Sequence, residues 1–177
     1  METWTDSAKK YEGKIVDVRF GTVRLSDGQE ATREVVEHPG GVGVVPYTGD
    51  GVILVKQYRI AVEQHILEIP AGKLEGVEDP EARGRAELEE EAGYVAGQMI
   101  PAGAIYPSVG FLTEKIHLFL ALDLAETARR PEWDEDIEVV TLSLDEIRAR
   151  LRANAFEDAK TIVGLYALLN YLEMAAP

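Results

Sequence analysis

Residues 72–93 read Gly72-Lys-Leu-Glu-Gly-Val-Glu-Asp-Pro-Glu-Ala-Arg-Gly-Arg-Ala-Glu-Leu-Glu-Glu-Glu-Ala-Gly93. Asp79 is suited to cap a helix, and Pro80 fits the first helical position, where its missing N–H costs nothing. Gly93 is suited to end the helix because glycine readily adopts the left-handed conformation of a C-cap. The stretch therefore predicts one short helix between Pro80 and Gly93.

Three carboxylates of this helix share one face, because Glu87, Glu90 and Glu91 are spaced i, i+3 and i+4. Like charges at this spacing repel by about 0.2–0.5 kcal/mol per pair. A hard divalent cation bound between the carboxylates would make their clustering favourable. The pattern alone favours a solvated acidic face over a metal site, since charge runs are usually solvated. Glu89 points to another face, where we expect it to be solvated.

Period-two alternation over 14–20 and 22–25, and short apolar runs on both sides of the helix, predict strands, and a 3.6-residue period predicts two helices at the C-terminal end. Strands, helix, strands and helices in that order indicate an α+β or α/β sandwich with a mixed sheet. The predicted strands are 14–20, 22–25, 34–37, 42–45, 52–55, 66–69, 98–105, 115–121 and 138–142, and the closing helices contain 144–151 and 162–172.

Composition excludes several classes of protein. The 18 Lys and Arg against 32 Asp and Glu give a net charge of −14, which is the opposite of a nucleic-acid-binding surface. The absence of cysteine excludes disulfide frameworks, zinc–cysteine sites and thiol nucleophiles. The sequence contains neither a secretory signal nor an apolar run of the ~18 residues that a membrane span needs. We therefore expect a cytoplasmic protein without nucleic-acid or membrane partners.

A longer pattern changes how the acidic helix is interpreted. Gly72, followed after five residues by Glu78 and then by Glu87-Leu88-x-Glu90-Glu91-x-Gly93, resembles the Nudix box. One position departs from the family pattern, because Ala86 stands where the family has an arginine before the first helix glutamate.

An arginine elsewhere on the helix could replace the missing one. Arg83 and Arg85 are the candidates, and the i, i+4 spacing between Arg83 and Glu87 favours Arg83.

Other segments resemble the ADP-ribose pyrophosphatase branch of the Nudix hydrolases. They include Val55-Lys-Gln-Tyr-Arg59, Leu67-Glu-Ile-Pro-Ala-Gly72 and the loop Ser108-Val-Gly-Phe-Leu-Thr-Glu114, in which Val109 replaces the proline of that branch. The segments 34–38 and 158–162 are also similar. The resemblance implies an α/β/α Nudix sandwich with a mixed sheet over residues 41–177, preceded by a small β element over residues 1–40 that builds a homodimer.

The resemblance also implies an enzyme that uses Mg²⁺, with Mn²⁺ as an alternative, to hydrolyse the pyrophosphate bond of a nucleoside diphosphate sugar. The expected substrate is ADP-ribose, giving AMP and ribose 5-phosphate, and the alternatives are GDP-mannose or another nucleotide sugar. A nucleotide-binding module without catalysis is a further alternative that Ala86 and Val109 favour and the three helix carboxylates oppose. An RNA-decapping activity is opposed by the net charge of −14.

The resemblance assigns roles to individual residues. The metal ligands are the backbone carbonyl of Ala71 and the carboxylates of Glu87, Glu90 and Glu91, with Glu90 also catalytic through a second ion. The family's general-base position aligns with Trp133, which cannot accept a proton, so Glu135 is the expected base and Glu132 the alternative.

Four residues are expected to contact substrate by the same resemblance. Arg59 would donate its guanidinium fork to the diphosphate or the terminal ribose. Glu114 would lie on a loop over the active site, and Ile15 and Glu34, in the N-terminal strands, would contact adenine across the dimer. The three histidines have no metal-ligand spacing and receive no role.

Overall fold

The computed structural model describes residues 1–76, 79–131, 133 and 136–175. The chain forms two compact units, one of Met1–Gly40 with Tyr106–Lys115, and one of Gly41–Ile105 with Ile116–Pro177. The strands are β1 (Thr3–Glu12), β2 (Asp17–Arg24), β3 (Glu30–Glu37), β4 (Gly41–Pro46), β5 (Gly51–Arg59), β6 (Gln64–Glu68), β7 (Ala71–Lys73), β8 (Tyr94–Ile105), β9 (Ile116–Glu126) and β10 (Ile137–Ser143), and the helices are α1 (Pro80–Glu87), α2 (Leu144–Arg152) and α3 (Ala159–Ala175).

The first unit is an antiparallel sheet of order β1-β2-β3. The segment 106–115 joins this unit through a parallel bridge between Val36 and Leu112, where the Thr113 N–H donates to the Val36 carbonyl at 3.0 Å. The sequence patterns did not predict β1, and every residue of β1 is exposed. An exposed strand needs no alternation of apolar residues, so it leaves little signal in a sequence.

The second unit contains two sheets, of order β10-β5-β6 and β7-β4-β9-β8. β4 pairs in parallel with β9, and the other neighbours are antiparallel, so the four-stranded sheet is mixed as predicted. β8 begins at Tyr94, four residues before the predicted start at Gln98. Both closing helices are present, and α2 begins with a reciprocal cap between Ser143 and Glu146.

Successive core residues of one strand face different helices. Ile53 belongs to the buried cluster of Leu88, which follows α1, whereas Leu54 belongs to the cluster of Leu165 in α3. Because side chains alternate between the faces of a strand, helices cover both faces of this layer. The α/β/α sandwich is therefore confirmed. None of the helices in the described part of the chain has both the length and the apolar character that crossing a membrane would require.

Candidate active site

The acidic helix is confirmed, but its second half is wound differently from the sequence prediction. The Asp79 side chain accepts a hydrogen bond from the Glu81 N–H at 3.3 Å and caps α1. α1 continues directly into a π-helical turn over Leu88–Ala92, which ends at Gly93 with a φ of 77°. Leu88 and Ala92 are buried in the core and anchor this turn. Such π turns are frequent at functional sites.

The carboxylate of Glu87 packs against the backbone at Gly72. A Cβ atom at position 72 would lie 1.4 Å from Glu87 Oε1, which is far inside van der Waals contact. Glycine is required here because two segments approach closely. The Glu87 residue is only 5% exposed, so this contact fixes a buried carboxylate at the end of α1.

A second buried carboxylate connects the π turn to β7. Glu91 is 3% exposed, and its Oε2 accepts a hydrogen bond from the backbone N–H of Ala71 at 3.0 Å. The Glu91 carbonyl in turn accepts from Arg129 Nε at 2.7 Å. Hydrogen bonds to an ionised carboxylate are stronger than neutral ones, so this bond holds residue 71 beside the acidic turn.

Arg83 provides the guanidinium that the sequence lacks at position 86. Its two terminal nitrogens lie 2.5 Å from Glu87 Oε1 and 3.6 Å from Glu90 Oε2. Arg85 instead pairs with Glu81 and donates to the Ala96 carbonyl. The preference for Arg83 over Arg85 is therefore confirmed.

The donor set fits a divalent cation. Glu87, Glu90 and Glu91 offer the hard oxygen atoms that such cations prefer, and two of the three carboxylates are buried. Within residues 1–76, 79–131, 133 and 136–175, no three side chains of His, Cys, Asp or Glu are already gathered around one metal position. One oxygen of Glu87 pairs with Arg83, and one oxygen of Glu91 accepts the Ala71 N–H.

A neighbouring cleft of about 540 Å³ is lined in part by Arg59, Glu68, Asp158 and Lys160. Arg59 donates its fork to Glu68, with Nε 2.6 Å from Oε1 and a terminal nitrogen 3.0 Å from Oε2. Lys160 also pairs with Glu68 and lies 3.1 Å from Asp158 Oδ2. The Arg59 guanidinium, which we expected to bind a diphosphate, thus donates its hydrogen bonds to Glu68 of the same chain.

These contacts shift two pKa values. Burial raises the pKa of Glu68, but the hydrogen bonds and charges of Arg59 and Lys160 outweigh it, so the pKa is lowered. The hydrogen bond to Glu68 raises the pKa of Arg59. Sequence reasoning did not single out Lys160, because its partner Glu68 lies 92 residues away.

The remaining substrate candidates lie in the first unit. Glu114 is 3.6 Å from His38 Nδ1, which also accepts the Gly40 N–H at 3.0 Å. Glu34 is an exposed residue of β3, opposite Phe20 in the register. Ile15 is 56% exposed and lies in the turn between β1 and β2. Its assignment to a strand was wrong, because β2 begins only at Asp17.

Two further expectations concern acidic residues. Glu89 is not simply solvated as we expected, because its carboxylate pairs with Arg130, which reaches it from beyond β9. The two candidate bases, Glu135 and Glu132, lie outside the described residues, as does Glu78 of the acidic motif. Trp133, between the two candidate bases, is 96% exposed.

Comparison with known proteins gives a consistent result. A NUDIX domain model matches residues 37–163. The chain is 40% identical over 161 residues to an ADP-ribose pyrophosphatase of Bacillus subtilis (strain 168), with 89% of this chain and 87% of the relative covered. It is 38% identical over 161 residues to a methanol dehydrogenase activator of Bacillus methanolicus, with the same coverage of 89% and 87%.

A GDP-mannose pyrophosphatase of Citrobacter koseri is 33% identical over 156 residues, with 81% of this chain and 78% of the relative covered. Among solved structures, an ADP compounds hydrolase superimposes with a TM-score of 0.87 at 19% identity, over 99% of this chain and 96% of the other. At that identity the superposition establishes the fold alone.

Proposed function

This chain belongs to the Nudix family of pyrophosphohydrolases, and we propose that it hydrolyses ADP-ribose to AMP and ribose 5-phosphate. The observation that carries the reaction class is the pair of buried carboxylates, Glu87 and Glu91, each held against β7 by a backbone contact. A solvated helix face would have no reason to bury two ionisable side chains. The choice of ADP-ribose rests on the relative that is 40% identical.

Members of the family generally use a divalent metal, and we propose Mg²⁺, with Mn²⁺ as an alternative, held by Glu87, Glu90, Glu91 and the carbonyl of Ala71. When bound, the cation supplies Lewis-acid neutralisation of phosphoryl charge and lowers the pKa of a coordinated water. Glu90 suits a catalytic role beside the ion, because its side chain is 38% exposed and can reach solvent. Arg83 orients Glu87 and Glu90 toward the same side of the helix.

Substrate recognition involves the cleft beside the carboxylates. Arg59 is close enough to Glu91 for their charges to interact, and its side chain is 40% exposed. We assign Arg59 to the diphosphate or the terminal ribose, with Lys160 balancing Glu68 while Arg59 is engaged. Glu114, Glu34 and Ile15 remain proposed substrate contacts, and Glu135 or Glu132 remains the proposed general base.

The proposal includes a homodimer in the cytoplasm, built by the β element over residues 1–40, with residues 41–177 as the Nudix domain. A second substrate is supported by one observation. The GDP-mannose pyrophosphatase relative is 33% identical over most of both chains, so GDP-mannose is the alternative nucleotide sugar.

The test is product analysis with a panel of nucleotide sugars. The purified protein is incubated with ADP-ribose, GDP-mannose and UDP-glucose, each with Mg²⁺, with Mn²⁺ and with EDTA, and the nucleotide products are separated by chromatography. Metal-dependent formation of AMP from ADP-ribose is the expected result. Preferential cleavage of GDP-mannose would show that ADP-ribose is the wrong substrate, but the proposed pyrophosphate hydrolysis would stand. Binding without any cleavage would overturn the proposal that the protein is an enzyme.

A further inference from the structure

A second cavity lies in the unit that carries the acidic helix. It has a volume of about 620 Å³, and three of its lining residues are Tyr47, Tyr94 and Tyr171. We call it the tyrosine cavity. It shares no lining residue with the Arg59 cleft and contains none of the proposed metal ligands, so the proposed reaction leaves it unused.

Two of the three tyrosines have both backbone and hydroxyl partners within the chain. The Tyr47 N–H donates to the Ala121 carbonyl at 2.9 Å, directly after β4, and the Tyr47 hydroxyl donates to the Gly49 carbonyl. Tyr94 opens β8 opposite Glu126 of β9, and its hydroxyl lies 3.5 Å from Glu126 Oε1. Both hydroxyls therefore have partners within the chain, and both tyrosines line the cavity.

The charged residues that line the cavity are acidic. Asp123 and Glu126 contribute two carboxylates, and none of the lining residues in the described part of the chain is basic. Burial, reinforced by the neighbouring Glu126, raises the pKa of Tyr94, so its phenol stays neutral at physiological pH. Neutral phenol rings present the negative face of their π-system to a bound group.

We propose that the tyrosine cavity binds a small organic cation of the alkylammonium type. Aromatic faces and carboxylates together attract a positively charged group that carries apolar carbon, because the rings supply cation–π attraction and the carboxylates supply charge. The volume is within the usual range for a small-molecule site. A phosphate or a nucleotide does not fit this lining, because two carboxylates would repel it. The proposed site is independent of the pyrophosphohydrolase activity.

The test is titration calorimetry of the full chain with choline, at constant ionic strength. The matched control ligand is the neutral analogue in which a carbon atom replaces the charged nitrogen. We expect saturable binding of choline at one site, with roughly fivefold or greater weakening by Glu126→Gln and by Tyr171→Leu. Glu126 is exposed, so Glu126→Gln keeps the test valid even if Tyr171→Leu fails to fold.

Two variants outside the cavity serve as controls. Tyr166→Leu removes an exposed tyrosine from α3, the helix that also contains Tyr171. Asp145→Asn removes one charge from a side chain that is 96% exposed. Both should bind choline like the parent protein. The proposal is overturned if choline gives no saturable heat, if the neutral analogue binds equally well, or if Asp145→Asn weakens binding as much as Glu126→Gln does. Saturation by glucose instead of choline would identify a sugar site and would also overturn it.

Discussion

The carboxylate of Glu87 occupies the space that the side chain of residue 72 would need, since a Cβ there would lie 1.4 Å from Glu87 Oε1. Two residues separated by 15 positions in the sequence therefore constrain each other. Any residue larger than glycine at position 72 must displace a carboxylate that we propose as a metal ligand.

Gly72→Ala should weaken the binding of Mn²⁺ and lower turnover of ADP-ribose, because it pushes Glu87 away from β7. Overpacking of this kind typically costs about 1–3 kcal/mol of stability. Mn²⁺ affinity by electron paramagnetic resonance and the free energy of unfolding by urea titration measure the two effects. Gly110→Ala is the control, because a Cβ at position 110 meets no atom within 4 Å. Equal Mn²⁺ affinity in the two variants would refute the role of Gly72.

Glu91→Gln should reduce turnover by about 100-fold or more, because several kcal/mol of transition-state stabilisation depend on a correctly held metal. The glutamine amide oxygen can still accept the Ala71 N–H, so the thermal unfolding midpoint should change little. Glu89→Gln is the matched control, because Glu89 pairs with Arg130 instead of facing β7. Near-normal turnover in Glu91→Gln would contradict the proposed ligand set.

Arg83→Ala should lower kcat/KM and weaken Mn²⁺ binding, because Glu87 and Glu90 lose the group that aligns them. Adding Ala86→Arg should recover part of both losses. Position 86 lies one helical turn before Glu90 and is only partly buried, so an arginine there has room to reach that carboxylate. Ala86→Arg alone should leave activity equal or higher. Arg85→Ala is the control, because it also removes an arginine from this helix. If Arg85→Ala lowers kcat/KM and Mn²⁺ affinity as much as Arg83→Ala does, Arg83 has no specific role.

The Arg59–Glu68–Lys160 cluster predicts a pH dependence of stability. The pKa of Glu68 is lowered in the folded state, so its contribution is fully present above the ordinary glutamate value of about 4.3 and is lost as the pH falls through the lowered value. Glu68→Gln should cost about 2–4 kcal/mol near neutral pH, because two cations lose their charged partner.

Urea unfolding of the parent and of Glu68→Gln from pH 7 down to pH 3 tests this prediction. The difference between the two proteins should begin to shrink below about pH 4, because Glu68 of the unfolded parent takes up a proton there, whereas the folded parent takes it up only at lower pH. Glu138→Gln is a suitable control, because the Glu138 side chain is 65% exposed and pairs with Lys56 at the surface. A difference that stays constant across this range would show that the charge of Glu68 is not what stabilises the cluster.

Local signals made the helix and most strands predictable from the sequence. Asp79, Pro80 and Gly93 are residue types that favour the ends of a helix, and the apolar run 52–55 indicated the buried strand β5. The π turn over Leu88–Ala92 had no such signal in the local sequence. Helical spacing placed the three glutamates on one face but did not indicate that two would be buried.

Contacts between distant residues were the least predictable part of the site. The pairing of Lys160 with Glu68 spans 92 residues, and that of Arg130 with Glu89 spans 41. No local pattern encodes such a pair. Arg83 was predictable because its partner Glu87 lies four residues away on the same helix.

The parallel pairing of β4 with β9 has a consequence for biosynthesis. β4 is an interior strand of its sheet, yet its partner β9 is made only after about 70 further residues have left the ribosome. Until Ile116–Glu126 emerges, a strand whose six residues are all buried in the finished protein presents an unpaired edge. Such edges are templates for aggregation, so nascent chains interrupted between β8 and β9 should be prone to aggregate.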